Sequence, residues 1–459
     1  MDQEDFSTLG VQGLLKEGGY TCPYCGRHHG TALKILKIGS GVIRTVPEVL
    51  AQIGAKKPYI ICDDHTWEAA GKQVTEILAE NGIDYSMFRF HEENLDPDEH
   101  ALGNIAMNYD ASCDIIMAVG SGVLNDLSKV LGNIADKKTM VVATAPSMDG
   151  YASNSSSMLV GGIKTTLYNK CPTAIIADID IIRMAPMRML KAGLGDVVAK
   201  YVSICEWRIS NLVTGEAYCE GIAKVVRNGV AKLVAVADKL TQRDPGTVQN
   251  IMEGLILTGV AMSYAGSSRP ASGLEHYFSH IWDMMCLERG VAPDLHGIQV
   301  GVGTVLTIRL YQWIRTLTPD KAKGLAAVAA FDRAKYEKDV ARIFGKIAPS
   351  ILEIEDRVRK NDPAKHAKRL GIICDNWDKI LAMIDEELPP IDEFESMMKS
   401  AEMPMLPTDM DFAVTPLDVQ DALRGSREIR DKYIGSSVLW DMGLLEEAIE
   451  RVLGYAEMR

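Results

Sequence analysis

The first 185 residues contain apolar runs that alternate with helical stretches, and this alternation is the strongest constraint on the fold. The runs typical of buried strands lie at residues 57–63, 113–119, 139–145 and 173–178. A helical stretch at residues 66–81 follows the first of them. Strands that are apolar on both faces are typical of a parallel sheet covered by helices on each side. Residues 1–185 are therefore predicted to form an α/β domain.

After Pro186 the apolar residues recur at helical spacing, without a further convincing strand pattern. The longest helical stretches lie at residues 195–211, 214–240, 249–263 and 300–317. Residues 186–459 are accordingly predicted to form an all-helical domain. Within it, the proline- and acid-rich segment 388–410 predicts a long surface connection, and residues 444–453 predict a docked terminal helix.

The charge balance narrows the class of partner. The chain has 49 lysines and arginines against 62 aspartates and glutamates, a net charge of -13. Nucleic acid and anionic membrane surfaces both attract a basic field, so both are disfavoured as partners. No apolar run reaches the roughly 18 residues of a membrane span, and the acidic, polar start does not resemble a secretory signal. With nine scattered cysteines, these features predict a reduced, cytoplasmic protein.

A glycine-containing turn follows the second predicted strand and opens a helix. It consists of Gly120, Ser121, Gly122, Val123 and Leu124, followed by Asn125 and Asp126. Glycines let the backbone approach a phosphate, and a helix N-terminus favours negative charge. The turn therefore predicts a phosphate-binding loop, although an ordinary glycine turn fits these residues equally well.

Asp63 ends the first predicted strand and is a candidate ligand for a nucleotide ribose. In a Rossmann fingerprint that acid follows the glycines by about 20 residues. Asp63 precedes the glycines instead, which indicates a nucleotide-binding sheet of different wiring. The alternative is that Asp63, or Asp64, is a plain helix N-cap.

Small and hydroxyl-bearing residues leave the third predicted strand at its carboxyl end, where open α/β sheets bind ligands. The segment runs Thr144, Ala145, Pro146, Ser147, Met148, Asp149, Gly150, Tyr151, Ala152 and Ser153. Its hydroxyls can hydrogen-bond a cofactor amide or phosphate, and Asp149 can orient a substrate hydroxyl. The alternative is a Ser/Asp/Gly turn without a ligand.

A group of histidines in the helical half predicts a metal site. His276 and His280 lie four residues apart and so share a helix face, and His296 follows beside small residues. Asp196 supplies a carboxylate at a predicted helix start. Imidazoles with one carboxylate can hold a divalent metal that keeps open positions for Lewis-acid catalysis. The alternative is hydrogen-bonded core histidines, although three of the nine histidines fall within 21 residues.

Near the N-terminus, Cys22 and Cys25 form a Cys-x-x-Cys pair close to His28 and His29. Such a knuckle can hold a structural zinc ion, although the second cysteine pair of a zinc ribbon is lacking. A reduced Cys-Pro turn is the alternative.

Five motifs, taken in order, resemble those of the sn-glycerol-1-phosphate dehydrogenases, in the superfamily of glycerol dehydrogenases, iron-containing alcohol dehydrogenases and dehydroquinate synthases. They are the segments 120–126, 144–153, 195–196, 272–276 and 296–304. The resemblance implies a dehydroquinate synthase-like architecture, with a nucleotide-binding α/β domain before a helical metal- and substrate-binding domain. Met148, Leu274 and Ile298 depart from the usual His, Ser and Glu of such proteins.

The resemblance also implies roles for individual residues. The cofactor-binding set is Asp63, Gly120, Ser121, Gly122, Val123, Leu124, Thr144, Ala145, Pro146, Ser147 and Ser153. The implied metal ligands are Asp196, His276 and His296, with zinc favoured over nickel or iron. Asp149 is expected to contact substrate and His280 to face it, so Asp149, Asp196 and His280 form the expected catalytic set.

The reaction implied by the resemblance is the reversible reduction of dihydroxyacetone phosphate to sn-glycerol 1-phosphate by NADH or NADPH. Asp63 is expected to repel a 2′-phosphate, which favours NAD. A glycerol or other polyol dehydrogenase, a dehydroquinate synthase-type lyase and a non-catalytic binding protein remain as alternatives. The resemblance further implies a homodimer or larger assembly.

Overall fold

The computed structural model describes residues 5–458, and the chain divides into two compact units. The first unit contains Met1–Val197 and Cys219–Ser268, and the second contains Val198–Tyr218 and Arg269–Arg459. The predicted boundary between residues 185 and 186 lies shortly after the last strand, whereas the first unit continues beyond it. No helix among the described residues is both long and apolar enough to cross a membrane.

The described residues form ten strands and twenty-one α-helices. The strands are β1 Tyr20–Thr21, β2 His28–His29, β3 Ile35–Gly39, β4 Pro58–Asp63, β5 Ser86–Phe90, β6 Ile115–Gly120, β7 Lys138–Ala143, β8 Ser155–Val160, β9 Ile163–Tyr168 and β10 Ala174–Asp178. The helices are α1 Val46–Ile53, α2 Asp64–Thr66, α3 Lys72–Glu80, α4 Glu99–Met107, α5 Gly122–Ile134, α6 Ile179–Ile182, α7 Met187–Val198, α8 Lys200–Thr214, α9 Glu220–Val234, α10 Pro245–Ala265, α11 Leu274–Arg289, α12 His296–Ile314, α13 Lys321–Ala329, α14 Arg333–Phe344, α15 Ala348–Val358, α16 Pro363–Asp375, α17 Trp377–Glu387, α18 Ile391–Ser400, α19 Pro416–Ser426, α20 Gly435–Asp441 and α21 Leu445–Tyr455.

Six strands of the first unit form a parallel sheet in the order β3-β10-β7-β6-β4-β5. Its four inner strands are the four apolar runs predicted from the sequence. The core on one face of the sheet contains buried side chains of α1 and α3, and the core on the other contains those of α4 and α5. The predicted α/β class is therefore confirmed.

The order of the strands creates a crevice at the carboxyl edge of the sheet. β5 pairs on one side of β4, whereas β6 pairs on the other side. At such a switch in direction, the loops after the two strands turn away from each other and leave a crevice in which α/β proteins bind ligands. Asp63 ends β4 and Gly120 ends β6, so both flank this crevice.

The sequence did not reveal the two outer strands or the β8–β9 hairpin. β3 and β5 are half-exposed along most of their length, so they lack a continuous apolar run. β8 and β9 pair antiparallel around Gly161 and Gly162, which both have positive φ. A Gly-Gly pair between two strand-like segments is a hairpin signal, so this element was detectable.

Beyond Pro186 the structure is helical, as predicted, and the described residues there contain no strand. The predicted helix at 195–211 is interrupted at Ala199, where α7 ends and α8 begins. The predicted surface connection at 388–410 is wrong in its middle part, which forms α18. Phe394 and Met398 are buried from this helix because they lie four residues apart and share a face.

α10 belongs to the first unit because it packs directly on the loop that follows β7. A Cβ atom on Gly259 would lie 2.8 Å from the Cβ atom of Ala152 and 3.0 Å from its carbonyl carbon. Ala152 ends the short 3₁₀ helix Asp149–Ala152. Glycine at position 259 thus allows a close approach of the helix to the loop that carries the predicted cofactor and substrate residues.

Candidate active site

The predicted phosphate-binding turn lies where β6 passes into α5. A Cβ atom on Gly120 would lie 2.9 Å from the Cβ atom of Leu124, so only glycine fits this tight turn. Ser121 is the N-cap residue of α5, and its side chain makes no capping hydrogen bond. The first backbone N–H groups of α5 therefore have no side-chain cap, which is the arrangement that helix N-termini offer to a phosphate.

The segment 144–153 lies beside this turn. β6 and β7 are neighbours, and the Thr144 N–H donates to the carbonyl of Gly120 at 3.2 Å. A Cβ atom on Gly122 would lie 3.5 Å from Cγ of Met148. Thr144, Ala145, Ser147 and Ser153 are buried. The structure thus brings the two predicted cofactor-binding segments together at the carboxyl edge of the sheet.

A buried lysine holds the end of this segment in place. Lys129 on α5 donates to the carbonyl oxygens of Gly150 (3.1 Å) and Ser155, and it pairs with Asp126 at 2.9 Å. The Ser153 hydroxyl oxygen lies 3.0 Å from each of the same two carbonyl oxygens and shares its one O–H between them. Ser153 therefore stabilises the loop through its hydroxyl, a role that the sequence did not indicate.

Asp196 is completely buried and lies near the C-terminal end of α7, so its prediction at a helix start was wrong. The helix begins at Met187, before the predicted start at residue 195. Oδ2 of Asp196 accepts a hydrogen bond of 2.9 Å from the backbone N–H of Asp149. Gly193 allows this approach, because a Cβ atom there would collide with the Pro146 carbonyl oxygen and lie 2.6 Å from Ile251. The structure thus links two predicted site residues, Asp196 and Asp149, and orients the carboxylate of the first.

Asp63 is the N-cap of α2, as the alternative interpretation proposed. Its Oδ1 accepts a hydrogen bond of 2.7 Å from the Thr66 N–H, and the Thr66 hydroxyl accepts one of 2.9 Å from the Asp63 N–H. The neighbouring Asp64 pairs with Arg89 and with His91 (3.0 Å). Capping fixes the Asp63 carboxylate at the crevice and occupies one of its two oxygens.

In the second unit, the three predicted histidines are close together on α11 and α12. The ring centroids of His276 and His296 are 5.3 Å apart, and that of His280 lies 5.8 Å from His296. The Nδ1 atom of His276 lies 2.8 Å from Oε1 of Glu275, and Nδ1 of His296 lies 3.1 Å from the Ser279 hydroxyl. Hydrogen bonds at Nδ1 orient an imidazole so that Nε2 can bind a metal.

Glu275 and Glu206 form a buried carboxylate pair behind these histidines, which sequence analysis missed. Glu206 on α8 accepts hydrogen bonds from the N–H groups of Leu274 (2.9 Å) and Gly435 (2.8 Å) and from the Tyr311 hydroxyl. Burial, together with the nearby Glu275 carboxylate, raises the pKa of Glu206. Glu206 thus lies directly behind Glu275, the carboxylate that orients His276.

The pair also explains a glycine in the motif at 272–276. A Cβ atom on Gly273 would lie 2.7 Å from Oε2 of Glu206 and 2.8 Å from Oε2 of Glu275. The Gly273 N–H donates to Oε1 of Glu275 at 2.7 Å. Glycine at position 273 thus leaves room for both carboxylates where α11 begins.

Gly303 sets the distance between α11 and α12, and its replacement by alanine tests this packing. A Cβ atom would lie 2.5 Å from the carbonyl oxygen of Glu275 and 3.2 Å from the carbonyl carbon. We expect Gly303→Ala to lower the free energy of unfolding by about 1–3 kcal/mol, because backbone cannot yield as a flexible side chain does. Urea titration followed by circular dichroism measures the change.

Gly371→Ala is the matched control for this variant. Gly371 also lies inside a helix, α16, but a Cβ atom there meets nothing within 4 Å. We expect this substitution to raise the free energy of unfolding by about 0.5–1 kcal/mol, as alanine favours a helix over glycine. Equal effects of the two substitutions would contradict the close helix contact at Gly303.

The sequence analysis gave no role to a basic cluster in the second unit, which consists of Arg269, Arg430 and Lys432. Lys432 donates a hydrogen bond to the Ser272 carbonyl at 3.3 Å, which places it beside the start of the histidine motif. Burial, and then the charges of Arg269 and Arg430, lower the pKa of Lys432 well below its ordinary value. Arg269 already pairs with Glu216. An anion bound beside Lys432 would favour its charged form.

The architecture and the site define a class of metal-dependent dehydrogenases. Residues 37–186 match the family of iron-containing alcohol dehydrogenases. Among solved structures, a glycerol dehydrogenase from Schizosaccharomyces pombe has a TM-score of 0.59 at 16% identity, covering 93% of this chain and 90% of its own. A probable glycerol dehydrogenase from Sinorhizobium meliloti has a TM-score of 0.60 at 16% identity, covering 93% and 98%. At such identities the likeness establishes the fold.

Curated relatives narrow the class further. A glycerol-1-phosphate dehydrogenase (NAD(P)+) from Halalkalibacterium halodurans is 32% identical over 292 residues, which cover 63% of this chain and 73% of the relative. The enzyme of the same name from Hyperthermus butylicus is 33% identical over 298 residues, covering 64% and 82%. The chain belongs to the glycerol-1-phosphate dehydrogenase family.

Proposed function

We propose that this protein catalyses the reversible, NAD(P)-dependent and metal-dependent reduction of dihydroxyacetone phosphate to sn-glycerol 1-phosphate. The observation that carries the proposal is the pair of oriented imidazoles, His276 and His296, in a chain whose relatives bear this enzyme's name. The reaction consumes one reduced cofactor and one proton, and it converts the ketone carbon into a secondary alcohol.

The divalent metal ligands of this proposal are Asp196, His276 and His296. Two neutral imidazoles and one carboxylate suit zinc, and they leave a coordination position for substrate. Glu275, hydrogen-bonded to His276, makes that imidazole a stronger ligand. When bound, the metal polarises the substrate carbonyl and the reduced nicotinamide supplies the hydride.

The cofactor site of this proposal is the crevice between β4 and β6, in the α/β domain of residues 1–185. The first turn of α5 and Gly120–Leu124 would bind the pyrophosphate, with Thr144–Ser147 and Ser153 along the nicotinamide half. Asp63 would accept hydrogen bonds from the adenosine ribose. Its negative charge favours NAD over NADP, because a 2′-phosphate would be repelled.

In the proposed site, His280 transfers the proton and Asp149 binds the substrate. His280 lies one helical turn after His276, on the same face of α11, and its side chain is partly exposed. An imidazole there can donate the proton that the alkoxide needs. Asp149 would accept a hydrogen bond from a substrate hydroxyl and so orient the ketone.

We assign the phosphate of the substrate to Lys432 and Arg430. Both belong to the second unit with the histidines, and Lys432 contacts the residue that opens the histidine motif. A basic cluster beside the catalytic histidines is what a phosphorylated ketone requires and what free dihydroxyacetone does not. This observation favours a phosphorylated substrate over free glycerol.

The test is to mix zinc-loaded protein with NADH and either dihydroxyacetone phosphate or dihydroxyacetone, and to follow absorbance at the NADH band. We expect oxidation with the phosphate alone, and a product that sn-glycerol-3-phosphate dehydrogenase does not oxidise. Oxidation with the free ketone alone would make the protein a polyol dehydrogenase. Phosphate release without net NADH change would indicate a lyase, and no cofactor or metal binding would indicate a non-catalytic protein.

We further propose a cytoplasmic homodimer or larger assembly. The acidic composition and reduced cysteines support the location, and size-exclusion chromatography with light scattering tests the assembly. A second zinc ion at Cys22 and Cys25 is part of the same proposal and has no role in the reaction.

A further inference from the structure

Four side chains with metal-binding atoms meet in the first unit, apart from the candidate active site. They are Cys22, Cys25, His29 and Cys219, whose ligand atoms all lie within 4.8 Å of one another. The Sγ atoms of Cys22 and Cys219 are 3.4 Å apart, and Nε2 of His29 lies 3.2 Å from Sγ of Cys25 and 3.7 Å from Sγ of Cys219. Cys219 supplies the ligand that the sequence motif lacked.

These distances suit a tetrahedral zinc site. With Zn–S bonds near 2.3 Å and Zn–N bonds near 2.1 Å, the ligand atoms would be about 3.8 Å apart for two sulfurs and about 3.6 Å apart for sulfur and nitrogen. A disulfide between Cys22 and Cys219 would need sulfurs about 2.0 Å apart and would give His29 no role. In the structure the three cysteines of the cluster, Cys22, Cys25 and Cys219, are free thiols.

The backbone around Cys22 and Cys25 has the form of a metal knuckle. The Gly26 N–H donates to the Cys22 carbonyl at 2.9 Å, and the Cys22 N–H donates to the Arg27 carbonyl at 2.8 Å. The Tyr24 N–H points to Sγ of Cys22 at 3.4 Å. Gly26 has φ of 69°, which explains a glycine directly after the second cysteine. This turn directs both thiols to one side.

Strand geometry places the two neighbouring histidines, His28 and His29, on opposite faces of β2. β2 contains only His28 and His29, and successive strand residues point to opposite faces. His29 is buried and faces the cysteines, whereas His28 is exposed. Nδ1 of His29 donates to the Tyr264 carbonyl at 2.8 Å, which leaves Nε2 directed at the thiols. A backbone carbonyl on Nδ1 is the usual partner of a zinc-bound imidazole.

Cys219 reaches the site from a distant part of the chain. It is the N-cap of α9, and it lies 197 residues after Cys22. Its side chain makes no capping hydrogen bond to α9. Its Sγ atom instead lies beside the other candidate ligands, 3.4 Å from Sγ of Cys22 and 3.7 Å from Nε2 of His29.

We propose that Cys22, Cys25, His29 and Cys219 bind a structural zinc ion that fastens the N-terminal segment to α9 and α10. The segment already contacts both helices: the Asn228 amide donates to the Ser7 carbonyl at 3.2 Å, and the Tyr264 hydroxyl donates to the Leu14 carbonyl at 2.6 Å. With four protein ligands the ion has no open position, so it takes no part in catalysis. The ion would crosslink residues that are far apart in sequence. Closing such a long loop lowers the conformational entropy of the unfolded chain more than closing a short one does.

The paired variants His29→Ala and His28→Ala test the site, both in a His276→Ala background that removes the active-site ion. Zinc per chain is counted by mass spectrometry of the purified protein. We expect one ion for the background and for its His28→Ala form, and loss of that ion in its His29→Ala form. No zinc in the background, or equal zinc in the two paired variants, would overturn the proposal.

Cobalt substitution gives a spectroscopic test on the otherwise unmodified chain. Co²⁺ bound by three thiolates and an imidazole gives a sulfur-to-metal charge-transfer band and intense tetrahedral d–d bands. We expect Cys25→Ser to weaken the charge-transfer band and to lower the melting temperature by several degrees, while Cys374→Ser, a similarly half-buried thiol, changes neither. A Cys22–Cys219 disulfide found by mass spectrometry would overturn the proposal, and so would a cobalt spectrum without thiolate bands.

Discussion

His276→Ala is expected to lower kcat/KM for dihydroxyacetone phosphate by about 10³-fold or more and to remove one zinc ion per chain. Loss of a Lewis acid costs several kcal/mol of transition-state stabilisation, and each 1.4 kcal/mol is about tenfold in rate. The imidazole is buried and fixed by Glu275, so no neighbouring side chain can take its place without rearrangement. Steady-state kinetics and a zinc count measure both effects.

His280→Ala is the matched control, because it removes a second imidazole from the same face of α11. We expect it to keep both zinc ions and to bind NAD(H) normally, while kcat falls by about 10²–10⁴-fold, the usual contribution of a positioned acid or base. The pH dependence of kcat should also lose the step contributed by His280. If His280→Ala lost the ion and His276→Ala kept it, the ligand assignment would be wrong.

The inner strands of the sheet were predictable because buried positions favour apolar residues, which form continuous apolar runs in the sequence. The four inner strands lie between neighbours and under helices on both faces, so nearly all their positions are buried and favour apolar residues; they are β4, β6, β7 and β10. The outer strands β3 and β5 each have a single buried position and are partly exposed elsewhere, so they have no continuous apolar run. The division into compact units was not predictable either, since it depends on how α9 and α10 pack rather than on local pattern.

The candidate site was predictable where its residues lie in short motifs. Local patterns single out Gly120–Leu124, the segment 144–153 and the histidines of α11, and the resemblance to a known family supplied their expected roles. Glu206 and Cys219 are single residues whose partners lie more than sixty positions away, so no local pattern marks them. Gly303 was partly visible as one of several small residues after His296, but its contact with Glu275 required the structure.

Lys432→Ala is expected to lower kcat/KM for dihydroxyacetone phosphate by about 10- to 100-fold, mainly through a higher KM. A hydrogen bond to a charged group contributes about 1.5–3 kcal/mol, which corresponds to that range. Arg430→Ala should act in the same direction, and the double variant should lose more than either single one. Activity on free dihydroxyacetone, however low, should stay within about twofold, because that substrate has no phosphate for these side chains to bind.

Arg424→Ala separates a local phosphate contact from a general loss of positive charge. Arg424 lies a few residues earlier, on α19, and its guanidinium pairs closely with the exposed Glu446 at 2.7 Å and more loosely with Asp421 at 3.7 Å. Like Lys432→Ala, its substitution removes one positive charge, but from a surface ion pair that contributes little energy. If Arg424→Ala raised KM as much as Lys432→Ala, the phosphate would be attracted only by overall charge. If Lys432→Ala lowered activity on both ketones equally, Lys432 would support the fold around α11 and the phosphate would bind elsewhere.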